Sequence, residues 1–353
     1  MPYPIHPHHV FAPGESLSEM IGELDISQEE LAARMGLTAK TVSQLINGKA
    51  PITPNIADKL EYVTGAPCSF WLNLENNYRR FLKEREERTK LQEAREFAAL
   101  FPYAELVKRG ACPATRNAAE KKEALLRFFG VSDIAAYRRT YISPLQGAAR
   151  ICFPQKWNPH SFAAWLRLAE LQARKIETVG FTKAGLQEAI RAIRALACND
   201  IAKAWKPIEN ILANCGVAAV IEPELPGCRI SGFTRFIGPH KALLVLSLRS
   251  KRVGAFWFNL FHELCHLLKH GKKKTFYNFG GQPEGQTPLP DQDRDEAEAD
   301  AFSRRILIPD KAWNSFVTGK SSFSARAVKA FAKEVGVPCD VVRGRLEWEQ
   351  RLG

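Results

Sequence analysis

The sequence predicts a multidomain chain, mainly α-helical, with one α+β part toward its C-terminus. Three observations carry that prediction. A helix, a glycine turn and a second helix are legible between Ile26 and Asn47. Across 97–225, apolar residues recur at helical spacing, as in LLRFFGV, FAAWLRLAELQARK and LQEAIRAIRALA. From Val217 the pattern turns to short strand-like runs, GVAAVIEP, ISGFTRFIG and KALLVLSLRS, and a long apolar helix follows them.

The bulk numbers agree. At 353 residues, 45% hydrophobic and 25% charged, the chain is long enough for two or three domains with real cores, which excludes a disordered or fibrous protein. No apolar run approaches the roughly 18 residues a membrane span needs. The start MPYPIHPHHVF lacks the basic-then-apolar pattern of a signal peptide. Eight cysteines without a CxxC pair suit reduced thiols. The expectation is a cytoplasmic protein with no membrane association. His6, His8 and His9 make a His-rich start for which disorder is expected ahead of metal binding.

The net charge of +12 invites a nucleic-acid reading, but its distribution weakens it. Residues 1–78 hold 4 Lys/Arg against 9 Asp/Glu, residues 79–240 hold 27 against 16, and residues 241–353 hold 19 against 13. The first segment is therefore acidic, and the surplus lies in the middle.

In ISQEELAARMGLTAKTVSQLIN, Ser27 is an N-cap and Glu30 completes a capping box. Leu31 and Met35 share one helical face, and Gly36 permits the sharp turn. Thr38 caps the next helix, whose Val42, Leu45 and Ile46 form its buried stripe, while Ala32 allows a close crossing. This is the helix-turn-helix layout. Asn55–Thr64 reads as a further short helix ended by Gly65. Phe70, Trp71, Leu72 and Leu74 form an apolar cluster that covers the bundle or makes a dimer seam. Arg79–Glu96, with 7 basic and 5 acidic residues and little apolar content, reads as an exposed helix or linker. The expected organisation is a helix-turn-helix domain over 1–78, a charged linker helix over 79–96, a helical middle over 97–216 and an α+β domain over 217–353.

The last of these carries the chemistry. FWFNLFHELCHLLKH contains His262-Glu263-Leu264-Cys265-His266, an HExxH pattern. Histidines four apart share a helix face and can reach one Zn²⁺ together. Glu263 sits at the edge of that face, where a general base belongs. Downstream, in DEAEADAFSRRILIP, Glu296 and Asp300 are again four apart. Glu296 is the preferred third ligand, with Asp300 one turn on to hold the other ring N–H of a zinc histidine, and Glu298 is the rival. The alternative is an amphipathic helix pair with incidental histidines, but two His and a Glu amid Phe and Leu are costly to bury without a metal or partner. KALLVLSLRS, just before this helix, is either an edge strand that pairs with extended substrate or a plain core strand. His270 and Tyr277 are oxyanion candidates or surface residues.

On these residues the segment 231–309 resembles the ImmA/IrrE family of bacterial zinc peptidases, whose pattern is a strand, HExxH and ExEAxxFAxxxLxP. The matching pieces are LSLRSK, HELCH and EAEADAFSRRILIP, ending at Pro309. Cys265 replaces the family's usual Gly and Ser303 its usual Ala; neither change removes a ligand. The first 78 residues resemble the HigA-type antitoxins of the XRE helix-turn-helix class, in Pro13-Gly14-Glu15, SQEELAARMGLTAKTVSQLINGK, PITPNIADKLEYVTG and FWLNLENNY. The resemblance implies a zincin-like domain, with a small β-sheet and an HExxH helix, that acts as a gluzincin-like zinc metalloendopeptidase. It also implies that the helix Ala39–Asn47 lies in the major groove of a double-stranded DNA operator. Lys40, Thr41, Ser43 and Gln44 would then lie near base edges, and Gln28, Asn47 and Lys49 near phosphates. A homodimer is implied as well.

Two functions compete. One is a DNA-binding regulator whose peptidase cuts a regulatory protein, a repressor or a toxin. The other is an antitoxin-like repressor that binds DNA and a toxin, its zincin domain a sensor or scaffold without proteolysis. An intact Glu263 favours the first. FSARAVKAFAKEVGVPCDVVRGRL repeats a helix-Gly-helix rhythm around Gly336, but Pro338 and few exposed hydrogen-bonding groups point to packing helices rather than a second reader.

Overall fold

Several helix starts follow local capping chemistry, with a side-chain oxygen accepting from a first-turn amide. The structure, a computed structural model, describes residues 10–145, 157–249, 252–270, 276–278, 290–319 and 322–351, with backbone only for 276–278 and 290–293. His6, His8 and His9 lie outside the described residues. The chain divides into two units, Met1–Arg95 and Glu96–Gly353.

The first unit holds α1 (Pro13–Glu23), α2 (Gln28–Met35), α3 (Ala39–Ile46), α4 (Pro54–Thr64) and most of α5 (Cys68–Ala99). Ser27 caps α2 by accepting from the Glu30 amide, and Thr38 caps α3 by accepting from the Thr41 amide, each at 3.1 Å. Gly36 ends α2 at φ +60°, a conformation that costs glycine nothing. Leu17, Leu31, Ala32, Met35, Val42, Leu45 and Trp71 make the core, and Ile46, expected in the buried stripe, is only half-buried. At Gly14, α1 meets the end of α3 so closely that a Cβ would stand 2.7 Å from the Leu45 carbonyl oxygen. Of the apolar cluster after α4, Trp71 is fully buried and Phe70 is 41% exposed. The stretch 79–96 is not a separate element but the continuation of α5.

The second unit is a sheet between two layers of helices. Its helical part holds α6 (Tyr103–Lys108), α7 (Ala118–Phe129), α8 (Ile134–Tyr137) with a π-turn at Arg138–Ile142, α9 (Pro159–Ala173), α10 (Lys183–Ala195) and α11 (Ile201–Ala213). Then come β1 (Val217–Ile221), β2 (Gly232–Gly238), β3 (Lys241–Leu246), α12 (Val253–Lys269) and β4 (Phe276–Asn278). The chain closes with α13 (Pro290–Leu307), α14 (Asp310–Val317), α15 (Ala325–Val335) and α16 (Cys339–Trp348). Strand order is β1-β3-β2-β4, with β1 and β3 parallel and β2 antiparallel to both its neighbours.

Alternation along the strands explains the layering. Ala218, Val220, Leu243, Val245 and Phe233 join one core with α9, while Ala219, Ala242, Leu244 and Leu246 join another with α12. A strand buried on both faces reads as a continuous apolar run, as VAAVI and KALLVL do. Residues 97–216 thus share these cores rather than forming a body of their own. Of the two roles open to KALLVLSLRS, β3 takes that of a core strand: it lies between β1 and β2, both of its edges are paired, and it has none left for an extended peptide. The outer edge of β2 is taken instead by the short β4 at Gly232–Thr234. Among the described residues no helix is long and apolar enough to cross a membrane.

Candidate metal centre and helix-turn-helix surface

The helix α12 is apolar around most of its circumference, so it is buried and takes its polar residues with it. His262, Glu263 and His266 are 3%, 0% and 1% exposed. Burial at that level demands partners for each. They come from α13 and β2, tens of residues away in sequence.

His262 Nε2 lies 3.0 Å from Glu296 Oε2 and 2.9 Å from His266 Nε2, and His266 Nε2 lies 3.3 Å from Glu296 Oε1. One donor atom from each of the three residues falls within 4.8 Å of the other two. Two imidazole nitrogens and a carboxylate converging this closely suit a tetrahedral cation such as zinc. Behind this group, His262 Nδ1 meets Asp300 Oδ1 at 2.9 Å. Burial opposes charge on His262, but Asp300 and Glu296 override it and push its pKa up to about 10. The same two histidines overcome burial at Glu296 and hold it down at about 2. At His266 burial prevails over Glu296 and the pKa falls.

Glu298, the rival third ligand, is turned elsewhere: its carboxylate pairs with Lys269 at 2.6 Å and His270 at 3.1 Å. His270 is no surface residue, since its side chain is 5% exposed and its Nδ1 lies 2.8 Å from His266 Nδ1. The Tyr277 side chain lies outside the described residues. Cys265 is fully buried, and burial pushes its thiol up to about 12, which leaves it unreactive.

Glu263 faces the sheet. Its Oε2 accepts from the Thr234 hydroxyl at 3.1 Å. Gly232, one pleat earlier on the same face of β2, makes room for it: a Cβ there would stand 2.8 Å from Glu263 Cδ. Sequence reasoning marks neither Gly232 nor Thr234. A glycine inside the strand-like run ISGFTRF was the available signal, because such a glycine often admits a close neighbour.

In the first unit Gln28, Lys40, Gln44, Asn47 and Lys49 are exposed. Thr41 and Ser43 are half-buried, and their hydroxyls already have local partners. Thr41 Oγ1 lies 2.8 Å from Thr38 Oγ1, and Ser43 accepts from Asn47 Nδ2 at its carbonyl (2.7 Å) and its hydroxyl (3.3 Å). Lys40 and Gln44, four apart, share one exposed face of α3.

Residues 17–70 match the helix-turn-helix family model. An uncharacterised HTH-type transcriptional regulator of Escherichia coli K12, YddM, is 42% identical over 64 residues, which are 18% of this chain and 68% of the relative. The chain belongs to the XRE-type helix-turn-helix family. This family member also carries an IrrE N-terminal-like domain of the peptidase M78 type, matched over residues 230–347. It is similar to a HigA-family addiction-module antidote protein from Coxiella burnetii, at 30% identity over 24% of this chain and 94% of that one, with a TM-score of 0.23. It is also similar to a protein described as an antidote of a plasmid maintenance system, from Nostoc punctiforme. There the identity is 28% over 23% of this chain and 93% of that one, with a TM-score of 0.21. The chain is thus a DNA-binding helix-turn-helix regulator with an IrrE-like peptidase domain.

Proposed function

We propose that this is a cytoplasmic regulator in which a dimeric DNA-reading unit is joined to a zinc endopeptidase that cuts a regulatory protein, a repressor or a toxin. The observation that carries the reading is the convergence of His262, His266 and Glu296 within 4.8 Å on a buried helix, with Glu263 beside them. These three residues would hold Zn²⁺, and Asp300 would keep His262 in the tautomer that offers Nε2 to it. Zinc supplies Lewis acidity toward a peptide carbonyl and toward water.

The protein's own residues do the rest. Glu263, oriented through Oε2 by Thr234, takes a proton from the attacking water and returns it to the leaving amine nitrogen. Gly232 lets the carboxylate lie against β2, and the apolar flanks Phe261 and Leu264 keep bulk water away. In the other unit α3 enters the major groove of an operator, with Lys40, Thr41, Ser43 and Gln44 toward base edges and Gln28, Asn47 and Lys49 toward phosphates.

The test is to express the wild type and Glu263→Gln, each with its genomic neighbours, and search by mass spectrometry for a new cleavage product. A product that requires Glu263 identifies the substrate. No product from either protein, with zinc and DNA binding intact in both, leaves a repressor whose zinc domain is a sensor or scaffold.

A further inference from the structure

The two histidines of the HExxH pattern are supported from behind in different ways. His262 has a carboxylate, Asp300, at Nδ1. His266 has another imidazole, with its Nδ1 2.8 Å from Nδ1 of His270 one helical turn further on. Two ring nitrogens at that distance share one proton, so one donates and the other accepts. If His266 is to offer Nε2 to a metal its proton must sit on Nδ1, which makes His266 the donor and His270 the acceptor.

A neutral imidazole that accepts at Nδ1 carries its own proton on Nε2. That nitrogen of His270 lies 3.1 Å from Glu298 Oε2 and 3.7 Å from Asp295 Oδ1. The other oxygen of Glu298 is held by Lys269 Nζ at 2.6 Å, so the acceptor is fixed in place. Every donor along this line therefore has an acceptor ahead of it.

We propose that His270 and Glu298 are positioning residues for the metal site. His270 accepts from Nδ1 of His266, Glu298 accepts from Nε2 of His270, and His266 is thereby locked in the tautomer and rotation that aim Nε2 at Glu296 and His262. The inference deepens the metal-centre reading above and rests on it. Both faces of DEAEAD are then in use. Glu296 and Asp300 serve the primary group, while Asp295 and Glu298, three apart, serve His270.

The test uses the full-length chain and zinc itself, with affinity read by competition against a chromophoric chelator and ligand geometry read from the visible spectrum of the cobalt-loaded protein. His270→Ala is expected to weaken zinc binding about 10–100-fold, the usual cost of losing such a partner, and to shift the cobalt bands. His270→Asn, whose Oδ1 can accept where Nδ1 does, is expected to recover most of the affinity. Glu298→Ala, at a half-exposed position that does not threaten the fold, is expected to weaken binding less than His270→Ala. If the wild type binds zinc tightly and His270→Ala and Glu298→Ala do too, the inference is overturned. Equal weakness of His270→Asn and His270→Ala also overturns it, since bulk rather than hydrogen bonding would then be at work. A wild type that takes up no zinc overturns the metal-centre reading itself.

Discussion

The two units place their polar residues in opposite settings. On and just after α2 and α3 the outward set, Gln28, Lys40, Gln44, Asn47 and Lys49, stands in solvent, and the few side-chain contacts around it are made within four residues. On α12 the polar set is buried, and beside the histidine contacts along the helix its partners come from β2 and α13, 29 to 38 residues away. A surface reader needs only a rigid helix behind it, so its parts are local and individually replaceable. A buried site has to satisfy every polar atom, so each residue depends on another element and single changes propagate.

That contrast can be broken or sharpened by measurement. The largest expected effect is at Glu263: Glu263→Gln should lower cleavage by about 10²–10⁴-fold, the usual span of general acid–base catalysis, while zinc stoichiometry and DNA binding stay as in wild type. Cleavage at the wild-type rate would sink the proposed role.

Next comes Arg194 on α10, whose guanidinium donates to the carbonyls of Ile306, Leu307, Val335 and Gly336, with N–O distances of 2.6–3.0 Å. Arg194→Met strips partners from the ends of two helices and should cost about 3 kcal/mol of stability in the second unit. Calorimetry should show that unit melting earlier and the first unit unmoved; a shift in both would break the comparison.

Lys40→Ala with Gln44→Ala should weaken binding to DNA upstream of the gene about 10–100-fold, from about 1–3 kcal/mol of lost contacts, with zinc affinity unchanged in the chelator assay. The mildest effect is that of pH on zinc binding. Because Asp300 and Glu296, against burial, raise His262 to about 10, its ring is protonated at neutral pH and must lose that proton to bind. Glu296, held at about 2, stays ionised and adds no proton. Affinity should therefore rise about tenfold per pH unit between pH 7 and 9, with about one proton released per zinc, measurable by calorimetry in buffers of different ionisation enthalpy.

Legibility from sequence followed the same divide. The caps Ser27 and Thr38 and the turn at Gly36 act over three or four residues, and the runs at β1, β2 and β3 announce themselves by composition. The four-residue spacings of His262 with His266 and Glu296 with Asp300 were readable, because a helix face is a local property. Strand order was not: nothing in KALLVLSLRS tells whether its edges are free, since that depends on β1 and β2 arriving on either side. β4 is three residues long and carries no pattern of its own. Gly232 matters only because Glu263 arrives 31 positions later in the chain, and Gly14 only because α3 ends against it. The charge and thin apolar content of 79–96 announce an exposed helix, but not that it runs on unbroken from Cys68, because a helix with polar residues all round carries no mark of where it began.

Arg194 has a consequence for how the second unit opens. Its one cation sits on the carbonyl ends of α13 and α15 together. Fraying at either helix end therefore strands a half-buried charge that the other end still holds, and the two ends loosen as a single cooperative step rather than residue by residue. The helix that presents Glu296 and Asp300 is thus anchored at its far end by a residue on α10, and its local opening free energy is set about a hundred positions upstream of the carboxylates it carries.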